Sequence, residues 1–321
     1  MLTALLITVT AAPTSAVELY RQWKPNSKVT YEVSSDLQIE SRDYTHSVFI
    51  PSEQGTKYQF TFEVGKVTDE GFASVAYKRP TVDVIQGETV EHPPITTTEK
   101  VNEHLELTMS PVNAITGLKD LTPKKPKEGG GGLTLLSFRK GSAVSPEAQD
   151  MIGGFIQDLF RLAMFVASPE TSMDFGPSLP LLEVEPGDTW KVTASYQPQL
   201  LKDKKGKMAP QRLDYTYTYV GIVDAAGKKV HRVSAVLNLD TDIGAFINDL
   251  LGAAPSQTGL KALKLKLDAK MEFDLDLETK NTLAGRGTSA GSIVVEIPQL
   301  TVPVEEANIK GRARLKLVSI K

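Results

Sequence analysis

The sequence predicts a mainly β protein, built as a large curled antiparallel sheet or half-barrel with a long apolar helix and a short helix on its concave face. Apolar and polar residues alternate with a period of two in at least seven segments, as they do when successive side chains lie on opposite faces of a strand. Two further segments have the three-to-four-residue spacing of helices. Short turn sequences join several alternating segments, which indicates antiparallel hairpins.

The chain opens with the pattern of a secretory signal peptide. Met1 to Val9 form an uncharged apolar run, and the small residues Thr14-Ser15-Ala16 follow it. The basic residues that usually precede such a run are absent, which leaves the true translation start open. A transmembrane helix is the weaker alternative, because a span needs about 20 apolar residues. We therefore expect residues 1–16 to be removed and the chain to be exported to the periplasm or the extracellular space.

The alternating segments begin near residue 28 and recur to the end of the chain. In the first of them Val29, Tyr31 and Val33 share one face, while Lys28 and Glu32 share the other. In the longest, at 263–278, apolar side chains alternate with charged ones over a length of roughly 45 Å. One apolar and one charged face is typical of an antiparallel sheet with water on one side.

Two segments predict helices. Residues 145–147 read Ser-Pro-Glu, a good helix start, and the run from there to Ala167 is apolar on most sides. This pattern indicates a buried helix of about 20 residues, which is about 30 Å long. A shorter helix of about ten residues is predicted after Asp242 and is ended by Pro255.

One segment is a candidate boundary between domains. Residues 123–132 read PKKPKEGGGG, a charged and then glycine-only stretch that buries no apolar surface and is predicted to be a loop or linker. The preferred interpretation is a single β-rich domain over 17–321. The alternative is a division at this loop into 17–122 and 133–321.

Composition excludes several classes of protein. The 36 basic and 39 acidic side chains nearly balance, so no nucleic-acid partner is indicated. The chain has no cysteine, which excludes disulfides, thiolate metal ligands and a lipid anchor on cysteine. The fold must therefore be stabilised by its apolar core.

No group of residues predicts catalysis or metal binding. The string at 287–291 matches G-x-S-x-G, but a hydrolase elbow is followed by a helix and here a strand is predicted. His46, His92, His104 and His231 are scattered singly, without a second ligand at a metal-site spacing, and are expected on the surface or in loops. We expect no enzyme activity, no metal and no cofactor.

Several turn and strand signatures resemble a known group of proteins. They are Leu179-Pro180-Leu181-Leu182, Gly187-Asp188-Thr189-Trp190, the hairpin from Tyr215 to Ala235 and the closing strand. From Asn26 to the C-terminus the chain is similar to an uncharacterised family of bacterial secreted and envelope proteins, a domain of unknown function with no assigned activity. In architecture it more loosely resembles the lipoprotein-carrier and lipid-carrier half-barrels of the LolA and LppX type.

The length of the apolar stripes suggests a function. Two helices of this size cover only part of a sheet whose strands approach 45 Å. We therefore expect a non-catalytic exported protein that binds a lipid-like or other apolar ligand between sheet and helices. The alternative is a structural or protein-interaction module of the cell envelope without a ligand. The residues predicted to line the ligand are Phe155, Leu159, Phe160, Phe246, Leu250, Leu267, Met271 and Phe273.

Overall fold

The protein is represented by a computed structural model. It describes residues 16–45, 47–87, 93–123, 144–146, 148–149, 151–153, 156, 159, 176–196 and 211–321.

Within these residues, eleven strands form one open sheet in which every neighbouring pair is antiparallel. Their order across the sheet is β5-β4-β3-β2-β1-β11-β10-β9-β8-β7-β6. The strands are β1 (Lys28–Asp43), β2 (Ile50–Val67), β3 (Ala73–Gln86), β4 (Ile95–Met109), β5 (Ile115–Asp120), β6 (Thr189–Tyr196), β7 (Gln211–Ala225), β8 (Lys228–Asp242), β9 (Ala262–Leu275), β10 (Thr282–Glu296) and β11 (Glu305–Ile320).

Strands β1–β5 form a first wing of the sheet and strands β6–β11 a second. The two wings are joined by the pairing of β1 with β11, which extends from Val29 opposite Ile320 to Asp43 opposite Glu305. Hairpins connect most other neighbours, so nearly all pairing within each wing is local in sequence. The first and last strands of the chain therefore lie side by side in the middle of the sheet.

Period-two alternation holds along these strands, which confirms the predicted antiparallel sheet. In β9 Leu263, Leu265 and Leu267 are buried, while Lys264 and Lys266 between them are exposed. We call the face that carries the buried side chains the dry face. Ion pairs cross between neighbouring strands on the opposite face, for example between Lys264 and Glu296 at 2.6 Å.

The wings curl toward each other on the dry face. The segment Val17–Lys24, which we call the strap, crosses between the β4–β5 hairpin and the β9–β10 hairpin. The amide of Arg21 donates to the carbonyl of Pro111 in the first hairpin, and the amide of Gln22 donates to that of Thr279 in the second. Strands β4 and β10 are five strand spacings apart, about 24 Å in a flat sheet. One short strap reaches both hairpins because the sheet is bent.

Irregularities in the strands supply part of this bend. Register shifts occur in most strand pairs, including one at Arg79/Thr81 on either side of Pro80, and such bulges increase twist and bending. In the central strand β10, Gly291 lies so close to its neighbour that a β-carbon there would collide with the carbonyl oxygen of Lys266. The backbones of β9 and β10 approach closely only because this position has no side chain.

The dry face carries two apolar clusters of buried residues. The first-wing cluster combines Trp23 of the strap with side chains from β1–β4 and Leu315, and it is rich in aromatic rings. The second-wing cluster combines side chains from β7–β11 with Leu37 and Ile39 of β1 and with the connecting segments. Val112, in the β4–β5 hairpin of the first wing, packs against the second-wing cluster. The two wings thus share one interior.

The helical part of the predicted fold class is wrong. The helices with defined bounds are α1 (Gly244–Leu251) and α2 (Pro255–Thr258), so no helix of the predicted 20 residues is present among the described residues. Described positions between Pro146 and Leu159 have helical backbone, and the rest of the predicted run to Ala167 lies outside the described residues. An apolar run without clear periodicity does not define the length of a helix.

The short helix predicted after Asp242 is present as α1, but it ends at Leu251, before Gly252 with its left-handed backbone, and Pro255, which was predicted to end it, begins α2 instead. The carboxylate of Asp242 accepts hydrogen bonds from the amides of Gly244 and Leu263, which ties the start of α1 to the start of β9. Ile243 and Ile247 belong to the second-wing cluster, so α1 packs on the dry face. None of the helices in the described part of the chain is long and apolar enough to cross a bilayer.

Candidate functional site

The dry face brings together most of the residues predicted to line a ligand. Leu267, Met271 and Phe273 of β9 are buried in the second-wing cluster, together with Leu159. Phe246 of α1 is partly buried and packs against the same cluster. Phe155, Phe160 and the side chain of Leu250 lie outside the described residues. That these residues contact a ligand stays a prediction.

The first-wing cluster lines the end of the dry face nearest the strap with aromatic rings. Tyr31 and Phe60 lie directly opposite each other on β1 and β2 and stack with ring centroids 5.2 Å apart. Phe62 meets Phe60 edge to face at 5.4 Å, and Tyr77 of β3 lies 5.4 Å from Phe60. Trp23 of the strap packs edge to face against Phe62 at 6.2 Å. These rings form a broad apolar wall.

Arg21 of the strap is buried against this wall, with 2% of its surface exposed. Its guanidinium carbon lies 3.7 Å from the centre of the Trp23 ring and 5.7 Å from that of Phe62. Nε donates to Oδ1 of Asn281 at 2.9 Å, and Nη1 donates to Oδ1 of Asn113 at 3.3 Å. A single guanidinium group therefore links hairpins from both wings.

The sequence brings these two asparagines to Arg21 through turn geometry. Asn113 lies in the β4–β5 turn with a left-handed backbone, φ 60°, which asparagine tolerates better than most residues. Its Nδ2 donates to the carbonyl of Pro177, which leaves Oδ1 to accept from Arg21. Asn281 follows Lys280, whose φ of 56° marks the tight β9–β10 turn.

Burial controls the electrostatics of the site. Removal from water lowers the pKa of Arg21 and raises the pKa of Tyr31, since burial disfavours the charged form of each group. The hydroxyl of Tyr31 lies beside the guanidinium and interacts with it electrostatically. Among the described residues, the hydrogen-bond acceptors of Arg21 are neutral amide oxygens and no carboxylate pairs with it.

Two buried polar atoms at this place, Nη2 of Arg21 and the hydroxyl of the neighbouring Tyr31, lack a well-formed hydrogen bond. The hydroxyl of Thr282, the residue after Asn281, is also buried without a partner, but it lies against Gly176, where a β-carbon would collide with it. A buried polar group without a hydrogen bond costs about 1–3 kcal/mol, and native proteins contain few of them. A buried cation whose Nη2 lacks a well-formed hydrogen bond is therefore an unusual feature of the fold.

Besides Arg21, two pairs of ionisable residues lie on the dry face. Arg79 and Glu103 face each other across β3 and β4 at 2.7 Å, and the guanidinium also lies 4.8 Å from the centre of the Tyr58 ring. At the other end of the sheet Asp43 and Glu305 pair across β1 and β11. Burial, with a smaller contribution from Asp43, raises the pKa of Glu305 to about 7.

The histidines do not assemble a metal site. His231, expected on the surface or in a loop, is instead buried in β8, where its Nδ1 shares a 2.8 Å hydrogen bond with the hydroxyl of Tyr219. Burial lowers the pKa of His231, and the nearby Lys280 acts in the same direction. His104 lies in β4, and His46 and His92 are outside the described residues. Where the structure describes the chain, no three acidic or histidine side chains form a metal-binding group.

Comparison with known proteins adds little to this description. No family model and no curated protein sequence matches the chain. The similar solved structures include lipovitellin, in a structure concerned with its lipid–protein interactions, with 12% identity and a TM-score of 0.41. That alignment covers 94% of this chain but only 26% of the lipovitellin chain, so this chain spans about a quarter of the length of that relative.

Two other structures align over most of both chains with lower scores. DynF from the dynemicin biosynthesis pathway of Micromonospora chersina is 7% identical, with 98% of this chain and 92% of DynF covered and a TM-score of 0.23. An outer-membrane lipoprotein-sorting protein domain from Vibrio parahaemolyticus is 6% identical, with 91% and 84% covered and a TM-score of 0.14. The neighbours thus include proteins named for lipids or lipoproteins, but scores this low do not establish a shared fold.

Proposed function

We propose that this protein is an exported, non-catalytic carrier that binds a lipid-like apolar ligand inside the curl of its sheet. The observation on which the proposal depends is the size of the dry face relative to its cover. Strands of 14–18 residues, such as β9 and β2, are about 45–60 Å long, whereas the cover in the described part of the chain consists of the strap, the helical positions between Pro146 and Leu159, and α1, whose eight residues extend about 12 Å.

The form of the sheet supports this proposal. The strap joins the two wings at one end, so the dry faces of both wings turn toward one interior. Apolar side chains from both wings line that interior, with aromatic rings in the first-wing cluster and mainly aliphatic side chains in the second-wing cluster. A concave apolar wall with a few polar groups is typical of ligand sites.

Export is the second part of the proposal. The apolar run at 1–9 and the small residues that precede Val17 support it. Val17 itself exchanges two 3.0 Å backbone hydrogen bonds with Val184 and packs against the second-wing cluster. The proposed mature chain therefore begins at the first residue of the strap.

One experiment tests both parts. The full chain is expressed in a bacterial host, and the exported fraction is purified without detergent and divided between N-terminal sequencing and solvent extraction with mass spectrometry. We expect an N-terminus at Val17 and a co-purifying lipid in near-stoichiometric amount. Protein retained in the cytoplasm would contradict export. A lipid-free protein that binds no added fatty acid would contradict the carrier and favour a structural or protein-interaction module.

A further inference from the structure

We propose that Arg21, with the hydroxyl of Tyr31, binds the anionic headgroup of a single-chain amphipathic ligand whose acyl chain extends along the dry face. The inference rests on the proposed carrier function and names the chemistry of the ligand. The headgroup is a carboxylate or a phosphate, since both present the several acceptor oxygens that these donors require.

Charge is the first argument. Arg21 is 2% exposed and, among the described residues, its acceptors are the neutral oxygens of Asn113 and Asn281. Charged side chains are rarely buried unless they are paired, because the loss of hydration costs several kcal/mol. The contrast within this chain is clear, since Arg79 and Arg232 each face a carboxylate, Glu103 and Asp274 respectively. An anionic ligand would supply the counter-charge that the fold leaves out.

Hydrogen bonding is the second argument. The atoms without a well-formed hydrogen bond at this place are Nη2 of Arg21 and the hydroxyl of Tyr31, and each can donate a hydrogen bond. Asn113 and Asn281 each direct an amide oxygen at the guanidinium. The site therefore offers more donors than acceptors, which suits an anion rather than a cation or a sugar.

Position is the third argument. Arg21 stacks on Trp23 and lies against the aromatic rings of the first-wing cluster, while Leu19, two residues earlier in the strap, belongs to the second-wing cluster. A headgroup held here would place its acyl chain along an apolar wall without exposing it to water. Arg21 also belongs to the strap, whose backbone hydrogen bonds hold it between hairpins of both wings.

The test compares two fluorescent probes that differ in charge. Delipidated wild-type protein is titrated at pH 7.5 with cis-parinaric acid and with its uncharged methyl ester. We expect the acid to bind at least about tenfold tighter than the ester, as expected for hydrogen bonds to a buried charge. Competition with a lysophosphatidic acid and with short-chain acetate or inorganic phosphate then separates a lipid headgroup from a free anion. Only the lysophosphatidic acid is expected to displace the probe.

Substitution of the arginine assigns the preference to this site. We expect Arg21→Gln to weaken binding of the acid about tenfold and binding of the ester by less than about threefold, and Arg21→Lys to retain part of the preference. The matched control is Arg232→Gln. The guanidinium of Arg232 is paired with Asp274 on the opposite face of the sheet. The control should leave both affinities unchanged, and circular dichroism checks that each variant is folded.

The outcomes separate this inference from the carrier function. Equal affinities for acid and ester in the wild-type protein would overturn the anion site even if Arg21→Gln failed to fold, and would leave the carrier intact. The same holds if Arg21→Gln weakens both probes equally, since Arg21 would then only shape the interior. Displacement by acetate or phosphate would show a free-anion site and overturn the lipid headgroup. If neither probe binds, both the inference and the proposed function fail.

Discussion

Glu305 on the dry face and Arg21 in the strap are both ionisable residues, but burial affects their charge differently near neutral pH. Glu305 lies opposite the acidic Asp43, and burial together with this neighbour raises its pKa to about 7. It therefore lowers its own charge near neutral pH by binding a proton. Arginine loses its proton far above neutral pH, so Arg21 keeps its charge and depends on its partners.

The raised pKa of Glu305 predicts a pH dependence of stability. Between the usual value of 4.5 and about 7 the folded protein binds more protons than the unfolded chain, so the free energy of unfolding falls as the pH rises. Glu305→Gln should remove this loss and make the protein more stable than wild type at pH 8, by up to about 3 kcal/mol, but not at pH 4. Urea unfolding at both pH values measures the difference.

The neighbouring Glu306→Gln is the control for this prediction. Glu306 forms a 2.6 Å ion pair with Arg42 instead of facing Asp43. Glu306→Gln should leave in place the fall in the free energy of unfolding between pH 4 and pH 8. A gain in stability from Glu305→Gln that is equal at pH 4 and pH 8 would show that Glu305 is ionised throughout and would contradict the assignment.

Sequence reasoning missed Arg21 for a physical reason. It stands in the stretch Val17–Lys24, where neither a strand nor a helix period is present, and a single arginine in such a stretch is usually a solvated residue. Its burial depends on Asn113 and Asn281, which are 92 and 260 residues away in the chain. The nearest available signal was the position of Trp23, a large apolar side chain two residues later.

At the scale of elements, the strands and the short helix α1 were predictable and the long helix was not. The alternation of Leu263, Leu265 and Leu267 with lysines indicated β9 directly. Successive side chains of a strand point to opposite faces, so a sheet with water on one face requires apolar and polar residues to alternate. The apolar run between Pro146 and Ala167 carried no such constraint. A segment that is apolar on all sides can be buried in several conformations, so its composition did not determine a long helix.

The close approach of β9 and β10 predicts a strong effect of one methyl group. In most strands alanine is more stable than glycine by roughly 0.5–1 kcal/mol. Gly291→Ala should instead destabilise the protein by about 1–3 kcal/mol, since the new β-carbon would collide with the carbonyl of Lys266 and force the two strands apart. Chemical unfolding measures the change.

The control is the reverse exchange at the preceding position. Ala290 points to the exposed face of β10, where Ala290→Gly should cost no more than about 1 kcal/mol. A Gly291→Ala variant as stable as wild type would show that the strands are not held this closely, and would weaken the account of how the sheet bends.

At the scale of the whole molecule, the bend of the sheet and its closure by the strap could not be derived from the sequence. Each strand pattern defines a dry and a wet face, but not the angle between neighbours. That angle depends on register shifts such as the one at Arg79/Thr81 and on contacts between distant hairpins. The pairing of β1 with β11 likewise joins residues nearly 300 positions apart, which local patterns do not reveal.

If the dry face is a ligand surface, a crystal structure of the protein with a bromine-labelled fatty acid will show where the ligand lies. We predict anomalous bromine signal inside the curl, between the first-wing and second-wing clusters, with the carboxylate within hydrogen-bond distance of Arg21. An interior filled completely by the protein's own side chains, with bromine absent or bound only on the outer surface, would contradict it.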